Sequence, residues 1–413
     1  MNPEDKKFRT PDEVAAEDPS PEPTTAGGAE DASFESKELS DDEIMASKPK
    51  SRWHSKWNAF NRLNWPPGKK EWIILAVIVL LLIGGGVAYA LTHKQPETLK
   101  PIPKITDASK TVPSTLTGLP VDPSVNKRTV TAVMIENTDW ARPQAGLSQA
   151  GVVFEAIAEA GITRFLALYQ DTAPNNVGPI RSARPYFVGW SMGFDAGYAH
   201  VGGSPDALAD ISKWHVRDLN QSYNGNYYHR ISSRAAPHNV YTSIHDLNEL
   251  EVAKGYDTSH FTGFARKTKA WRPKNQPITA RNINLNISSA DYNVHYTYDP
   301  NTNTYLRSEG GAPQIDSNGN KRIRPVVVIA MVMPYSLGPL DTSGAYYSNY
   351  GFIGGGQVLI FQNGQVTKAA WHKKSNQSQL TFIDSKGKAV QLNPGQTWIT
   401  ALGGANQVTY SAK

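Results

Sequence analysis

The 413-residue sequence predicts an α+β fold, an α/β layered domain followed by a mainly β domain, behind a single N-terminal transmembrane helix. Three observations predict it. One uncharged, mostly apolar run, Trp72 to Thr92, has the length of a membrane span. The stretch from Arg128 to Gly255 alternates strand-like and helix-like patterns, the signature of an α/β layer. From residue 279 onward, short alternating runs follow one another between Gly, Asn, Asp and Pro, with no helical period.

Residues 1–71 form a polar head. Its first 47 carry 14 acidic and 4 basic side chains, a balance of −10, so the overall +5 leaves about +15 on the rest. Such a segment has too little to bury to offset the entropy of ordering, and disorder is expected. The Trp-rich basic stretch Lys48 to Lys70 suits anionic headgroups. The 21 residues 72–92 would span about 31 Å as a helix, and they start too far along the chain for a cleaved leader. Seven basic residues in the 24 before Trp72, against four in the 24 after Thr92, favour a cytoplasmic head and extracytoplasmic folded domains. Residues 93–127 hold several prolines and read as a stalk. With no cysteine, no disulfide or thiol chemistry is available.

In residues 128–255, strands are expected at Thr129–Glu136, Val152–Ala158, Thr163–Gln170 and Ala196–Val201. Helices are expected at Ser182–Gly193, at Pro205–Trp214 capped by Ser204, and at Ile244–Lys254 capped by Ser243. Residues 256–278 connect to a β domain over 279–413, with strands at Asn293–Tyr298, Thr304–Arg307, Pro325–Val332, Gln357–Phe361, Val366–Trp371, Gln379–Ile383 and Thr397–Leu402. Asn363-Gly364 signals a type I′ hairpin turn.

Polar residues of the α/β stretch fall at strand ends and helix starts, where ligands bind in such folds. Arg164, Arg181 and Arg184 suit a phosphate or carboxylate, with Arg181 and Arg184 expected on one face of a helix start beside Ser182. Arg181 and Arg184 could instead pair with Glu155 and Glu159 in a structural network. Glu136, Asn137, Glu159, Arg234, Asn239 and the Gly202-Gly203-Ser204 turn complete the ligand-binding candidates. His200 and His238, with Glu155, are the candidates for proton transfer. No cofactor is expected; a divalent metal at Glu136, Glu155, His200 and His238 has support from residue type alone, since no HExxH or comparable spacing occurs.

The strings AVMIENTDWARPQAGLSQAGVVFEAIAEAGITRF, VGPIRSARPYF, HVGGSPDAL and RAAPHNVYTS, with YDPNTNTYLRS and LNPGQTWI further on, resemble the YerB-like lipoprotein family of bacteria, described chiefly as a domain of unknown function. The resemblance implies a surface-anchored bacterial protein and brings no reaction with it. The lipobox cysteine is absent, and the apolar run takes its place. In layout rather than letters, the chain is also similar to the LytR-CpsA-Psr phosphotransferases. That similarity implies that Arg164, Arg181 and Arg184 hold a pyrophosphate while Glu155 assists a metal or proton.

Three function classes stay open: a binder of an anionic wall polymer or lipid-linked phosphate, an enzyme acting on envelope glycopolymers, and a scaffold for envelope proteins. Nucleic acid is not an expected partner, because the basic excess forms no stripe.

Overall fold

The computed structural model describes residues 72–73, 75–83, 101–105, 107–270 and 275–413. The acidic head, the Trp-rich basic stretch, residues 84–92 of the apolar run and residues 93–100 lie outside these. The chain divides into two compact units, Met1–His93 and Lys94–Lys413. In the first, residues 72–73 and 75–83 are helical, with Ile73, Leu80, Leu81 and Leu82 exposed. Among the described residues no helix is long and apolar enough to cross a membrane.

The second unit is built on a mixed sheet. Its strands are β1 (Thr131–Glu136), β2 (Val152–Glu159), β3 (Ile162–Tyr169), β4 (Gly197–Ala199), β5 (Val327–Val332), β6 (Gly354–Gln362), β7 (Gln365–Lys373), β8 (Thr381–Ile383) and β9 (Thr397–Leu402). Their spatial order is β8-β7-β6-β5-β9-β2-β3-β1-β4. β9 enters between β5 and β2, parallel to both, so the sheet runs unbroken from the α/β half into the β half. β2 and β3 are nearly continuous apolar runs because both of their faces are covered.

The coverings differ. Helices α1 (Pro185–Met192), α2 (Pro205–Lys213) and α3 (Ile244–Ala253) belong to the α/β half. Ser204 accepts from Ala207 N, and Ser243 from Asp246 N, the expected caps, each worth about 1 kcal/mol. Alternation along β2 aims Phe154 at α1, where it stacks on Trp190 with centroids 5.0 Å apart. It sends Glu155 to the opposite face, against Arg307 of a second, five-stranded sheet (312–313, 304–309, 294–299, 282–285, 408–411). In that sheet Val294, Tyr296 and Tyr298, and across from them Tyr305, Arg307 and Glu309, are the buried alternates.

The Asn363-Gly364 turn closes β6 onto β7 with φ of +58° and +69°, the left-handed pair a type I′ turn needs. The strands at 282–285, 335–340, 346–350 and 408–411 have no counterpart in the expected set. Their short or Gly- and Pro-interrupted sequences (NINL, YSLGPL, YYSNY, VTYS) carry too few apolar alternates to register. Packing also reaches back into the stretch read as a stalk, since Leu116, Val121 and Val125 are buried and Leu116 O accepts from Arg266 Nη2 at 2.8 Å.

The hairpin 335–350 joins the sheet where Tyr347 pairs with Glu159, and it leaves Leu337, Leu340 and Tyr346 exposed. Phe352, just beyond it, lies against Trp214 and over Gly189 of α1, where any Cβ would overlap its ring. Gly189→Ala is therefore expected to displace Phe352, cost about 1–3 kcal/mol and open residues 335–353 to protease. Limited proteolysis checks this, and a cleavage pattern identical to wild type would show that Phe352 does not hold residues 335–353 in place.

Candidate functional site

The polar residues singled out in the sequence separate onto the two faces of the sheet. Glu136 on β1 lies opposite Arg164 on β3, so both point to the helix side. Asn137, one residue on, faces the second sheet, where its Nδ2 donates to Glu309 Oε1 at 2.6 Å and to Thr163 Oγ1 at 2.6 Å. Glu155 and Glu159, four apart on β2, would share a face in a regular strand. A register shift between Ile157 and Glu159 prevents this and sends Glu159 to Arg164 and Arg184 on the helix side.

On the helix side, two groups of charge lie side by side. In the inner one, Glu159 accepts from both Arg164 and Arg184. Arg164 also donates to Ser182 O at 2.8 Å and Arg184 to Ala183 O at 2.6 Å, while Tyr347 covers the Arg184 guanidinium, with its ring centroid 4.8 Å away. Both arginines are buried. Burial, and Arg184 beside it, bring Arg164 down to about 10, which leaves it charged at neutral pH. In the outer group, Glu136 Oε1 lies 2.7 Å from His238 Nδ1, 3.1 Å from Arg181 Nε and 2.9 Å from the Thr138 hydroxyl. Glu136 is 1% exposed and its Oε2 has no hydrogen-bond partner. The Arg181 and His238 side chains keep 23% and 20% of their surface exposed, and Nε2 of His238 has no partner among the described residues.

The remaining candidates are engaged within the protein. α1 begins at Pro185 with Arg184 as N-cap, and Ala183 bridges Gly203, so Arg181 and Arg184 do not share a helix face as the sequence suggested. His200 is fully buried, with Nδ1 2.7 Å from Gly202 O and Nε2 2.9 Å from Asp218 Oδ1, so both ring nitrogens are engaged inside the protein. The Gly202 carbonyl serves His200 and Ala183, and Ser204 caps α2. Arg234 donates to Ala141 O and Pro143 O, and Asn239 Oδ1 accepts from Arg230. Glu136, Glu155, His200 and His238 do not converge on a metal position. Among the described residues the group with ligand spacing is His245, Asp246 and Glu249 at the start of α3, and His245 and Glu249 are exposed.

The other face carries a network that residue-by-residue inspection missed. Arg307, fully buried, donates to Glu155 Oε1 at 2.6 Å, to Glu309 Oε2 at 3.2 Å and to Gln314, and its guanidinium lies 4.5 Å from the Trp398 ring centroid. Glu155 Oε2 accepts from Trp398 Nε1 at 2.9 Å and Thr400 Oγ1 at 3.1 Å. Burial pushes the Glu155 carboxyl up against the pull of Arg307. Burial would likewise lower Arg307, but the carboxylates of Glu155 and Glu309 outweigh it and hold the guanidinium above its ordinary value. The signal in the sequence was Arg307 and Glu309 at the buried alternates of an otherwise aromatic strand.

An α/β half and a β half that share one mixed sheet, with charge clusters on both faces, define a two-part architecture. The chain belongs to the family of unknown function DUF3048: residues 116–262 match its N-terminal domain and residues 266–399 its C-terminal domain. It is similar to the "Putative lipoprotein YerB" of Bacillus subtilis, 33% identical over 297 residues, which covers 71% of this chain and 87% of that one. The crystal structure of YerB protein from Bacillus subtilis superposes with a TM-score of 0.64 at 31% identity, covering 73% of this chain and 99% of that one.

Proposed function

We propose that this is an envelope protein, held to the membrane by the apolar run 72–92, whose outer helix-side cluster binds an anionic group of a wall polymer or a lipid-linked phosphate. The lipoprotein name of its relative supports the location, and the basic flank before Trp72 supports a cytoplasmic head. The observation that carries the binding reading is the contrast between the arginines. Arg164 and Arg184 are buried and give their Nη groups to Glu159 and to backbone carbonyls, whereas Arg181 touches one carboxylate oxygen and is a quarter exposed beside a His238 whose Nε2 has no partner among the described residues. A guanidinium and an imidazole turned outward together suit a phosphate or carboxylate oxygen.

Binding without turnover is favoured because the hydroxyl nearest His238, Thr138, lies at 3.4 Å on its Nδ1 side and already donates to Glu136. The phosphotransferase analogy gives Glu155 a role for which both of its oxygens are already taken. Thermal melting of the full chain with pyrophosphate and with a polyprenyl phosphate tests the reading. At ~100-fold over its dissociation constant, a ligand adds about 2.7 kcal/mol. Arg181→Ala is expected to abolish the shift with little change in the unliganded midpoint, while Arg184→Ala lowers that midpoint. A shift that survives Arg181→Ala, or no shift from any anion, rejects it.

A further inference from the structure

On the opposite face of the sheet, a cleft of about 560 Å³ lies between the loop 139–144 and the strand ends around residues 309–315, with Asp291 and Asn320 at its margin. That volume is in the range of small-molecule sites. We propose that it binds a primary ammonium group carried on a short alkyl or sugar body.

Among the described residues the wall holds one cation, Arg142. Arg142 donates through Nε to Asn137 Oδ1 at 3.2 Å and through Nη2 to Asn137 O at 3.2 Å and Asp291 O at 3.0 Å, and Nη1 pairs with Asp139 at 3.0 Å. Its donors are consumed, so it has little to offer an anion.

The acceptors, by contrast, are in surplus. Glu309 fixes Asn137 Nδ2 as a donor, so Asn137 Oδ1 is an acceptor, and Gln144 Nε2 donates to it at 2.8 Å and to Glu136 O at 3.1 Å. That fixes the Gln144 amide as well. Its Oε1 is left buried without a donor, on a fully buried residue that lines the cleft. An unmet buried acceptor is costly, so a donor placed there is favoured. Asp139 and Asp291 add negative charge at the rim, Asp139 with 68% of its side chain exposed, while Pro143, Ala312, Pro313 and Ile315 offer apolar wall for a carbon body. An ammonium brings three donors and no acceptor, which matches this set.

An alkylamine and an amino sugar share this chemistry, and titration calorimetry on the full chain separates them. The probes are Nα-acetyl-lysine methylamide and glucosamine, with the Nε-acetylated lysine derivative and N-acetylglucosamine as uncharged counterparts. One of the two amines is expected to bind, with its acetylated counterpart silent. Asp139→Asn with Asp291→Asn, both at the rim, is expected to weaken binding about tenfold without moving the melting midpoint. Equal binding of an amine and its acetylated form, unchanged affinity in the double variant, or heat from neither amine at 10-fold molar excess and above overturns the assignment. Because Arg181 is on the other face, its variant should leave amine binding intact; loss of amine binding in Arg181→Ala would also overturn it.

Discussion

Arg307→Leu is expected to destabilise the Lys94–Lys413 unit by about 3–5 kcal/mol, the cost of leaving buried carboxylates without their cation. Glu155 and Glu309 both depend on this guanidinium, and neither has water to turn to: the Glu155 side chain is 0% exposed and that of Glu309 2%. The loss should be visible as a fall in urea midpoint at an unchanged slope. Adding Glu155→Gln to Arg307→Leu removes one stranded charge and is expected to recover part of the loss, since the amide oxygen can still accept from Trp398 or Thr400. If the double variant is no more stable than Arg307→Leu alone, the pair is not coupled as the geometry requires. The effect falls on both halves of the molecule at once, because Glu155 belongs to β2 and Arg307 to the second sheet. A single cooperative transition should therefore move as a whole.

The elements most legible in the sequence are those whose pattern is set by burial alone. β9 matches its expected bounds, Thr397–Leu402, and α2 and α3 begin where Ser204 and Ser243 place them. The candidate site was legible as a set of residue types and, for Arg184 with Glu159, as one pairing; the other partnerships were not. Glu155 and Glu159 looked equivalent, and a one-residue register shift gives them different faces. Arg181 and Arg184 looked like one helix start, yet the chain stays extended through Ala183 to bridge Gly203, and only then turns at Pro185. His200 and His238 looked alike, and burial with two acceptors separates the first from the second. Arg142 and Gln144 gave no signal, because their role depends on Glu309, more than 160 residues away. What a sequence hides here is long-range pairing, which no local periodicity encodes.

Glu251→Gln is expected to stabilise the protein increasingly as pH rises from about 4.5 to about 8. Glu251 lies on the buried side of α3, 1% exposed, with Oε1 accepting from the Thr131 hydroxyl at 3.0 Å and Oε2 unpartnered. It packs so closely on Gly197 that a Cβ there would overlap Oε1, so the carboxyl cannot swing out toward water on that side. Burial, opposed by Thr131 and by the more distant Arg217 and Arg128, pushes the carboxyl up to about 8 from 4.5. The folded state then binds this proton more tightly than the unfolded chain, and between those two values stability falls with rising pH. The full cost, about 4–5 kcal/mol, is present above pH 8 and absent below about 4.5. Lys373 has the opposite slope in a higher window: burial lowers it to about 8 from 10.5, so its share of stability is regained only as pH climbs from 8 toward 10.5. Melting curves from pH 4.5 to 10 should show wild type and Glu251→Gln coinciding at the acid end, diverging up to pH 8, and then running parallel. Curves that stay parallel throughout would mean that Glu251 keeps an ordinary carboxyl in the folded state, and that its neighbours supply more compensation than Thr131 alone provides.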